Sequence, residues 1–412
     1  MSCKPARLSR FRSSRRRREV LESRRCRGWM TMRRVLTALC MAVLGLVLFG
    51  LISVGSASSV RGASIHGDPL YFTYRQIVWC LVGSVGAIVA ARIDYHVWRR
   101  RGVYLTLGTI LLLALVLVLI PGIGSEVNGS RRWIRLAFFS LQPSEFAKLG
   151  VVILFSVWMD SITWHAKRFF KGFLYPCLAL VVVLTLMMLE PDFGATAVTA
   201  ALAGAILFAA GTRWIYLIGS GILGAAGIGV MVWQDPVRLG RIEAWLAGAD
   251  SGSAASHQMK QSILAFVNGG FSGVGINNSM QKQFYLPEAH TDFIFAITGE
   301  EFGLVGTLGV VLLFVVLLVC GIWIAFKAPD RLGRLIAFGL TLSIVLQAAL
   351  NMGVVIGALP TKGLALPLLS YGGTNMLATL TAIGILINIG RHAEEVEADS
   401  HAHRVRNAAK RI

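Results

Sequence analysis

VLTALCMAVLGLVLFGLISV, from Val35 to Val54, is a run of twenty residues without a charge, and it follows directly on Arg33 and Arg34. About 20 mostly apolar residues are enough to carry a helix across the hydrocarbon core of a bilayer. No A-x-A-like cleavage site clearly follows the run, so it reads as a retained signal anchor and not as a cleaved signal peptide. Nine further runs of this kind follow, at about 75–93, 103–121, 144–160, 172–189, 194–211, 213–233, 303–326, 334–357 and 373–390. The expectation is an all-α polytopic membrane protein of about ten transmembrane helices. A large extracytoplasmic loop, about 234–302, lies between helices 7 and 8. The segments are a basic cytoplasmic tail at 1–34, read as disordered, a transmembrane domain at 35–390, and a cytoplasmic C-terminal tail at 391–412.

Composition agrees. Of 412 residues, 55% are hydrophobic and 15% charged, against about 25% charged in an ordinary soluble domain. The net charge of +19 would suit nucleic acid, but 13 of the 40 Lys and Arg residues lie in the first 34 positions and most others in short loops. No basic face on a folded domain is visible, so a nucleic-acid partner is excluded. With the basic tail inside, the inner segments hold 29 Lys and Arg against 9 Asp and Glu, and the outer segments 10 against 11. The positive-inside rule therefore puts both termini in the cytoplasm, with the tail available to anionic membrane lipid.

The same layout brings four segments together on the outer face: 122–143, 190–193, 234–302 and 358–372. Their residues are the candidates for chemistry. Asp292, in YLPEAHTDFIFA (Tyr285–Ala296), stands at the rim of an apolar run; partial burial would fit it for a general base. Thr291 or Asp292 as a helix cap fits the residues equally well. Glu300 and Glu301 fit N-terminal helix charges. Arg131, Arg132 and Arg135 run against the charge trend of the outer face and suit phosphate oxygens, or interfacial anchoring beside Trp133. Glu145 and Lys148 lie three apart within a span, hence on one helix face. Charges there usually face an interior cavity, and a structural ion pair is the alternative. Asp192 follows Glu190 in the turn EPDFG, where a turn and cap would also explain it. LPTKGLALPLLSYGG (Leu359–Gly373) adds Lys362, Ser370 and Tyr371 on irregular backbone of the kind that lines wet cavities.

Other chemistries find no support. There is no P-loop, H-E-x-x-H or G-x-S-x-G, so neither a nucleotide nor an organic cofactor is expected. The six cysteines have no metal-ligand spacing, and no set of metal ligands is identified. No internal repeat supports an inverted-repeat transporter.

Taken together, HTDFIFA, GEE–G, QPSE–K, EPDFG and LPTKG…LP…SYGG resemble the SEDS family of cell-wall polymerases (shape, elongation, division and sporulation; FtsW, RodA, SpoVE) over about residues 33–390. The wording Pro360–Gly363 is more similar to the FtsW branch than to the RodA branch. The resemblance implies a peptidoglycan glycosyltransferase that polymerises lipid II, the undecaprenyl-pyrophosphate-linked disaccharide-peptide, on the outer face of the cytoplasmic membrane, for septal synthesis in division. Asp292 falls on the family's essential aspartate, the expected base for an inverting displacement. Arg131, Arg132, Arg135, Glu145, Lys148, Asp192, Lys362 and Ser370 are the expected substrate contacts. The implied cofactor is a divalent cation, Mg2+ or Mn2+; the implied partners are a class B penicillin-binding protein and other divisome membrane proteins. Thr374–Asn375 stand where the family usually has two serines, Asn277 and Asn278 replace loop glycines, and His257–Gln258 replaces Tyr–Gln. Two alternatives stay open. A lipid II flippase would need a site reachable from both sides, and a scaffold recruiting the transpeptidase would leave Asp292 replaceable.

Overall fold

The structure is a computed structural model that describes residues 8–127, 130–135, 139–247 and 254–409. Its ten long helices correspond one to one with the ten apolar runs: α1 (Leu8–His66), α2 (Tyr71–Arg92), α3 (Arg101–Leu119), α4 (Pro143–Ser161), α5 (Tyr175–Leu189), α6 (Phe193–Ala209), α7 (Trp214–Gln234) and, beyond α8 (Pro236–Ala247) and α9 (Ala254–Gly269), α10 (Ile294–Lys327), α11 (Arg331–Val355) and α12 (Gly373–Ala409). Eight of them are long and apolar enough to cross a membrane. The other two are α6, which is shorter, and α4, which carries Glu145 and Lys148 inside the bundle.

Local chemistry sets the helix ends. Pro143 opens α4, where its missing N–H is no loss. Asp192 caps α6 by accepting from Ala195 N–H at 3.2 Å, and Asp330 caps α11 by accepting from Gly333 N–H at 2.9 Å. Helices α1, α10, α11 and α12 pack against one another, with α2 laid along α12 and α4 and α6 well buried beside them. By contrast, α7 has no buried residue.

Three details depart from the expected layout. The segment 122–143, expected on the outer face, is not featureless: it forms a small antiparallel sheet, β1 (Gly124–Val127), β2 (Ser130–Arg135) and β3 (Ser140–Leu141), in the order β1-β2-β3. The loop 234–302 contains α8 and α9, and α9 packs on α10 and α11. Helix α10 begins at Ile294, nine residues ahead of the expected span, and breaks at Gly303 (φ 64°, ψ −160°). A backbone of that hand is open to glycine and strained for other residues, so the membrane run proper starts where the apolar run was read. At the termini, the backbone of α1 is helical back to Leu8 through the tail expected to be disordered, and residues 1–7 lie outside the described ones. Helix α12 likewise continues past residue 390 to Ala409.

Candidate active site

A cavity of about 350 Å³ opens where α2 and α12 begin and α5 ends. Its walls include Arg75, Arg132, Glu145, Asp192, Glu288 and Asp292. A second cavity of about 250 Å³ adjoins it, with Arg241, Gln258 and Lys362 on its far side. Arg132, Glu288, Asp292 and Gly363 belong to both, so Asp292 stands in a shared wall. A third cavity, about 340 Å³ between α3, α4 and α5, is lined by apolar residues with no carboxylate or cation and offers nothing to this chemistry.

Asp292 is held by its backbone, and its carboxyl group has no hydrogen-bond partner among the described residues. Its N–H donates to the Glu288 carbonyl at 3.2 Å. Asn351 Nδ2 donates to the Asp292 carbonyl at 2.8 Å and to the Leu364 carbonyl at 2.5 Å, tying the segments 288–292 and 360–370 together. The N-cap of α10 is Phe293, and no side chain caps that helix. The cap reading of Thr291 and Asp292 therefore falls: Thr291 Oγ1 donates instead to the Glu288 carbonyl at 3.2 Å. Burial pushes the Asp292 carboxyl from the ordinary 3.8 up to about 7. Glu288 and Asp192 add to the rise and Arg132 opposes it. Gly363 lies flush against this carboxylate, since a Cβ there would stand 3.0 Å from Asp292 Oδ2.

Of the three arginines, only Arg132 borders the cavities. Its Nε donates to the Glu190 carbonyl at 3.1 Å and its Nη2 to the Pro191 carbonyl, pinning β2 over the turn. Arg131 pairs with Glu126 at 3.5 Å on the surface, and Arg135 is exposed at the end of β2. Asp192 borders the first cavity but is already occupied as the α6 cap, and it also accepts from Gln142 Nε2 at 3.1 Å and Ser144 Oγ at 3.0 Å. Its neighbour Glu190 is fully buried with both oxygens unpartnered among the described residues, and burial pushes its carboxyl up to about 8.

Glu145 and Lys148 form a buried pair at 2.8 Å under the first cavity. Asn375 Nδ2 donates to Glu145 at 2.8 Å, and Lys148 donates to Gln347 Oε1 at 2.5 Å. Glu145 reaches the cavity and Lys148 lies beneath it. Ser370 is not in either wall: its Oγ donates to the Thr291 carbonyl at 2.5 Å and accepts from Leu366 N–H at 2.8 Å, bracing the segment behind Asp292. Thr374 accepts from Gln142 N–H at 3.1 Å, so both Thr374 and Asn375 fasten α12 to the start of α4.

Several residues of the site were not singled out from sequence. Glu288, inside the quoted stretch, pairs with Arg61 at 3.3 Å and holds a left-handed backbone (φ 54°). Gln347 and Asn351 are buried polar residues four apart in a span, a pattern that marks an interior-facing surface. Arg75 and Arg241 are ordinary loop-flanking cations by sequence and enter the walls only through the fold. His290 is packed between Phe72 and Tyr371 (5.1 and 5.8 Å between ring centroids), and burial lowers its pKa to about 4, so it stays neutral.

Comparison with known proteins identifies the family and the fold. The profile of the FtsW/RodA/SpoVE family, described as cell cycle protein, matches residues 37–395. A protein of Trichlorobacter lovleyi named probable peptidoglycan glycosyltransferase FtsW is 44% identical over 85% of this chain and 92% of its own. A protein of Pseudomonas fluorescens with the same name is 39% identical over 85% and 86%. Among solved structures, a chain of a peptidoglycan synthase complex in which polymerization and crosslinking are coordinated superposes with a TM-score of 0.71 at 27% identity, over 86% of this chain and 97% of that one. The rod shape determining protein RodA of Thermus thermophilus gives 0.62 at 27% identity, over 86% and 95%.

Proposed function

The chain belongs to the FtsW/RodA/SpoVE family of cell cycle proteins, and from that premise we propose that it polymerises lipid II as a septal peptidoglycan glycosyltransferase with Asp292 as its general base. It is a multi-pass membrane enzyme of the peptidoglycan glycosyltransferase class. The observation that carries the finer reading is the Asp292 carboxylate, unpartnered among the described residues and standing in the wall between two charged cavities.

One cavity takes the sugar whose anomeric carbon bears the lipid pyrophosphate, and the other takes the acceptor sugar. The acceptor 4-hydroxyl attacks the anomeric carbon as the bond to pyrophosphate breaks. Its proton passes to Asp292, and the electron pair leaves on the pyrophosphate. A single displacement inverts the anomeric centre and needs no enzyme nucleophile, by the same logic that governs inverting glycosidases. A carboxyl group titrating near 7 is matched to taking that proton at neutral pH.

The leaving charge is met by Arg132 and Lys362 from the two sides, with Arg241 and Arg75 at the far walls. Arg131 and Arg135 are too far out in the sheet for that role and serve at the membrane surface. Among the described residues the pocket has no three His, Cys, Asp or Glu side chains converging as a metal cage. A Mg2+ or Mn2+ would therefore arrive with the pyrophosphate, as Mg2+ usually does on one or two carboxylates plus phosphate oxygens, with Glu288 as the carboxylate at hand. Its contribution there is neutralisation of the departing charge.

The pocket faces the outer side if both termini are cytoplasmic, as the loop charges require. A class B penicillin-binding transpeptidase is the proposed partner, with other divisome membrane proteins. A flippase would have to pass its headgroup by Glu145 and Lys148, which are buried and already bonded to Asn375 and Gln347. The test is polymerisation of labelled lipid II by the purified protein, with and without its transpeptidase and a divalent cation. A ladder from the wild type and none from Asp292→Asn supports the reading. Ladders from both remove Asp292 from its role, and none from either removes the polymerase.

A further inference from the structure

At the other end of the bundle, Asp94 and His96, in the turn between α2 and α3, meet His392 on α12. One ligand atom from each lies within 4.8 Å of the other two. From Gly373 at the pocket to His392 the helix rises about 28 Å, at about 1.5 Å per residue, so this cluster is no part of the site above.

The orientation of the two rings is the telling feature. His392 Nδ1 stands 3.1 Å from the Asn388 carbonyl oxygen, which fixes the ring proton on that nitrogen. The lone pair on Nε2 then faces Asp94 Oδ1 at 3.7 Å, a carboxylate oxygen, with no proton between them. His96 repeats the arrangement: Nδ1 is 2.6 Å from Asp94 Oδ1, and Nε2 faces Asp330 Oδ2 at 3.4 Å. A neutral imidazole has one N–H to give, and each ring here has oxygen acceptors at both nitrogens. A second proton on each ring, or a metal ion shared between the rings, resolves the conflict, and the gap at His392 favours the ion. The 3.7 Å gap is longer than a hydrogen bond. It is close to the roughly 3.3 Å between ligand atoms that bonds of about 2.0–2.1 Å impose around a tetrahedral ion, whereas the 2.6 Å hydrogen bond from His96 Nδ1 to Asp94 Oδ1 would have to open by about 0.7 Å on metal binding. A backbone carbonyl on the distal nitrogen is the usual support of a metal-bound histidine.

The two halves are held in place without any ion. Tyr95 N–H donates to Asn388 Oδ1 at 3.1 Å, and Asn388 Nδ2 donates to the Ala91 carbonyl at 3.0 Å. Asp94 accepts from His96 N–H at 2.9 Å, which sets its carboxylate toward the rings. Both histidines are half-buried and Asp94 is exposed, so the site is open to an ion from water.

We propose that Asp94, His96 and His392 bind a divalent transition metal of the zinc class, which clasps α12 to the α2–α3 turn. Two imidazoles and one carboxylate suit Zn2+ and its neighbours, whereas Mg2+ and Ca2+ select oxygen. Three protein ligands leave the fourth position to water.

The test uses the full-length protein, purified in detergent without a histidine tag. Co2+ is titrated in and followed by its visible absorbance, then displaced with Zn2+; the thermal midpoint is read with and without Zn2+. The expected result is stoichiometric Co2+ binding, displacement by Zn2+ and a raised midpoint. His392→Ala and His96→Ala should each weaken binding by more than about tenfold, since even outer-shell changes cost about 10–100-fold. A double variant of the tail histidines, His401→Ala with His403→Ala, should bind as the wild type does. No binding by the wild type overturns the proposal, as does unchanged binding in both His392→Ala and His96→Ala, or loss of binding in the tail variant alone.

Discussion

Asp292 and Glu300 stand eight residues apart on one stretch of chain, and both are carboxylates drawn away from bulk water. Glu300 accepts from Ser279 Oγ, from the N–H of Gln281 at 3.2 Å and of Met280 at 3.3 Å, and from Asn268 at 3.3 Å. Beside it, Glu301 accepts from Ser56 and pairs with Lys282 at 3.5 Å. Asp292 accepts from no described residue and faces two cavities. Glu300, with both oxygens bonded, and Glu301, bonded through Oε1, fasten the segment 274–282 to the start of the membrane run. Asp292 is left with a carboxyl group that exchanges its proton near neutrality. Both are carboxylates on one stretch of chain, and the hydrogen bonds that Glu300 accepts and Asp292 lacks among the described residues separate the two roles.

The contrast breaks most visibly at Asp292. Asp292→Asn should lower the polymerisation rate by about 10²–10⁴-fold, the usual worth of a general base, with no fall in thermal midpoint. A lower midpoint would class Asp292 with Glu300. Conversely, Glu300→Ala should destabilise by about 3 kcal/mol, because the buried donors of residues 279–281 lose their acceptor at about 1–3 kcal/mol each. Thermal unfolding in detergent reads this, and the rate per folded molecule should hold.

Titration sharpens the same point. Because the base must be ionised, kcat/KM should rise about tenfold per pH unit up to about 7 and level off above it. Stability should move the other way. The folded pKa is raised, so the stability linked to Asp292 is full below about 4 and is lost as pH rises through about 7. Asp292→Asn should flatten both slopes. A smaller effect is expected at Gly363→Ala: its methyl group would press on Asp292 Oδ2 from 3.0 Å. A displacement of tenths of an ångström should slow the rate by about tenfold, given about 10² for a full ångström. The smallest belongs to Arg131→Ala, which should stay within about 0.5 kcal/mol in stability and about twofold in rate, because its partner is the exposed Glu126.

The spans were legible because an apolar run of bilayer length has few other uses, and all ten found a helix. The outer segments were not. Strands of two to six residues, such as Ser140–Leu141, carry too little alternation to stand out. The helices α8 and α9 lie in a stretch whose glycines and polar residues read as loop. Ile294–Phe302 was placed in the loop although it is helical, because Gly303 hides the join. At the site, the residues alone left Asp292 between base and cap, and the resemblance favoured the base. Only the backbone at Phe293 removed the cap. Arg132 was found because it runs against the expected charge trend, and Lys362 as a cation on the irregular backbone of LPTKG. Ser370 was found by motif but braces the wall from behind. Gln347 and Asn351 were passed over because a polar residue in an apolar run weighs little in a search for spans.

Helix α7, which buries nothing, makes one flank of the protein mechanically soft. Lipid tails are as apolar as the side chains it would meet in the bundle, so no hydrophobic force returns it to place after a sideways excursion. Its position is set by its ends, and the far end passes at Pro236 into α8, which carries Arg241 of the second cavity. One continuous stretch of chain thus joins the helix bordering the bilayer to a wall of the second cavity, apart from the mutually packed frame of α10, α11 and α12.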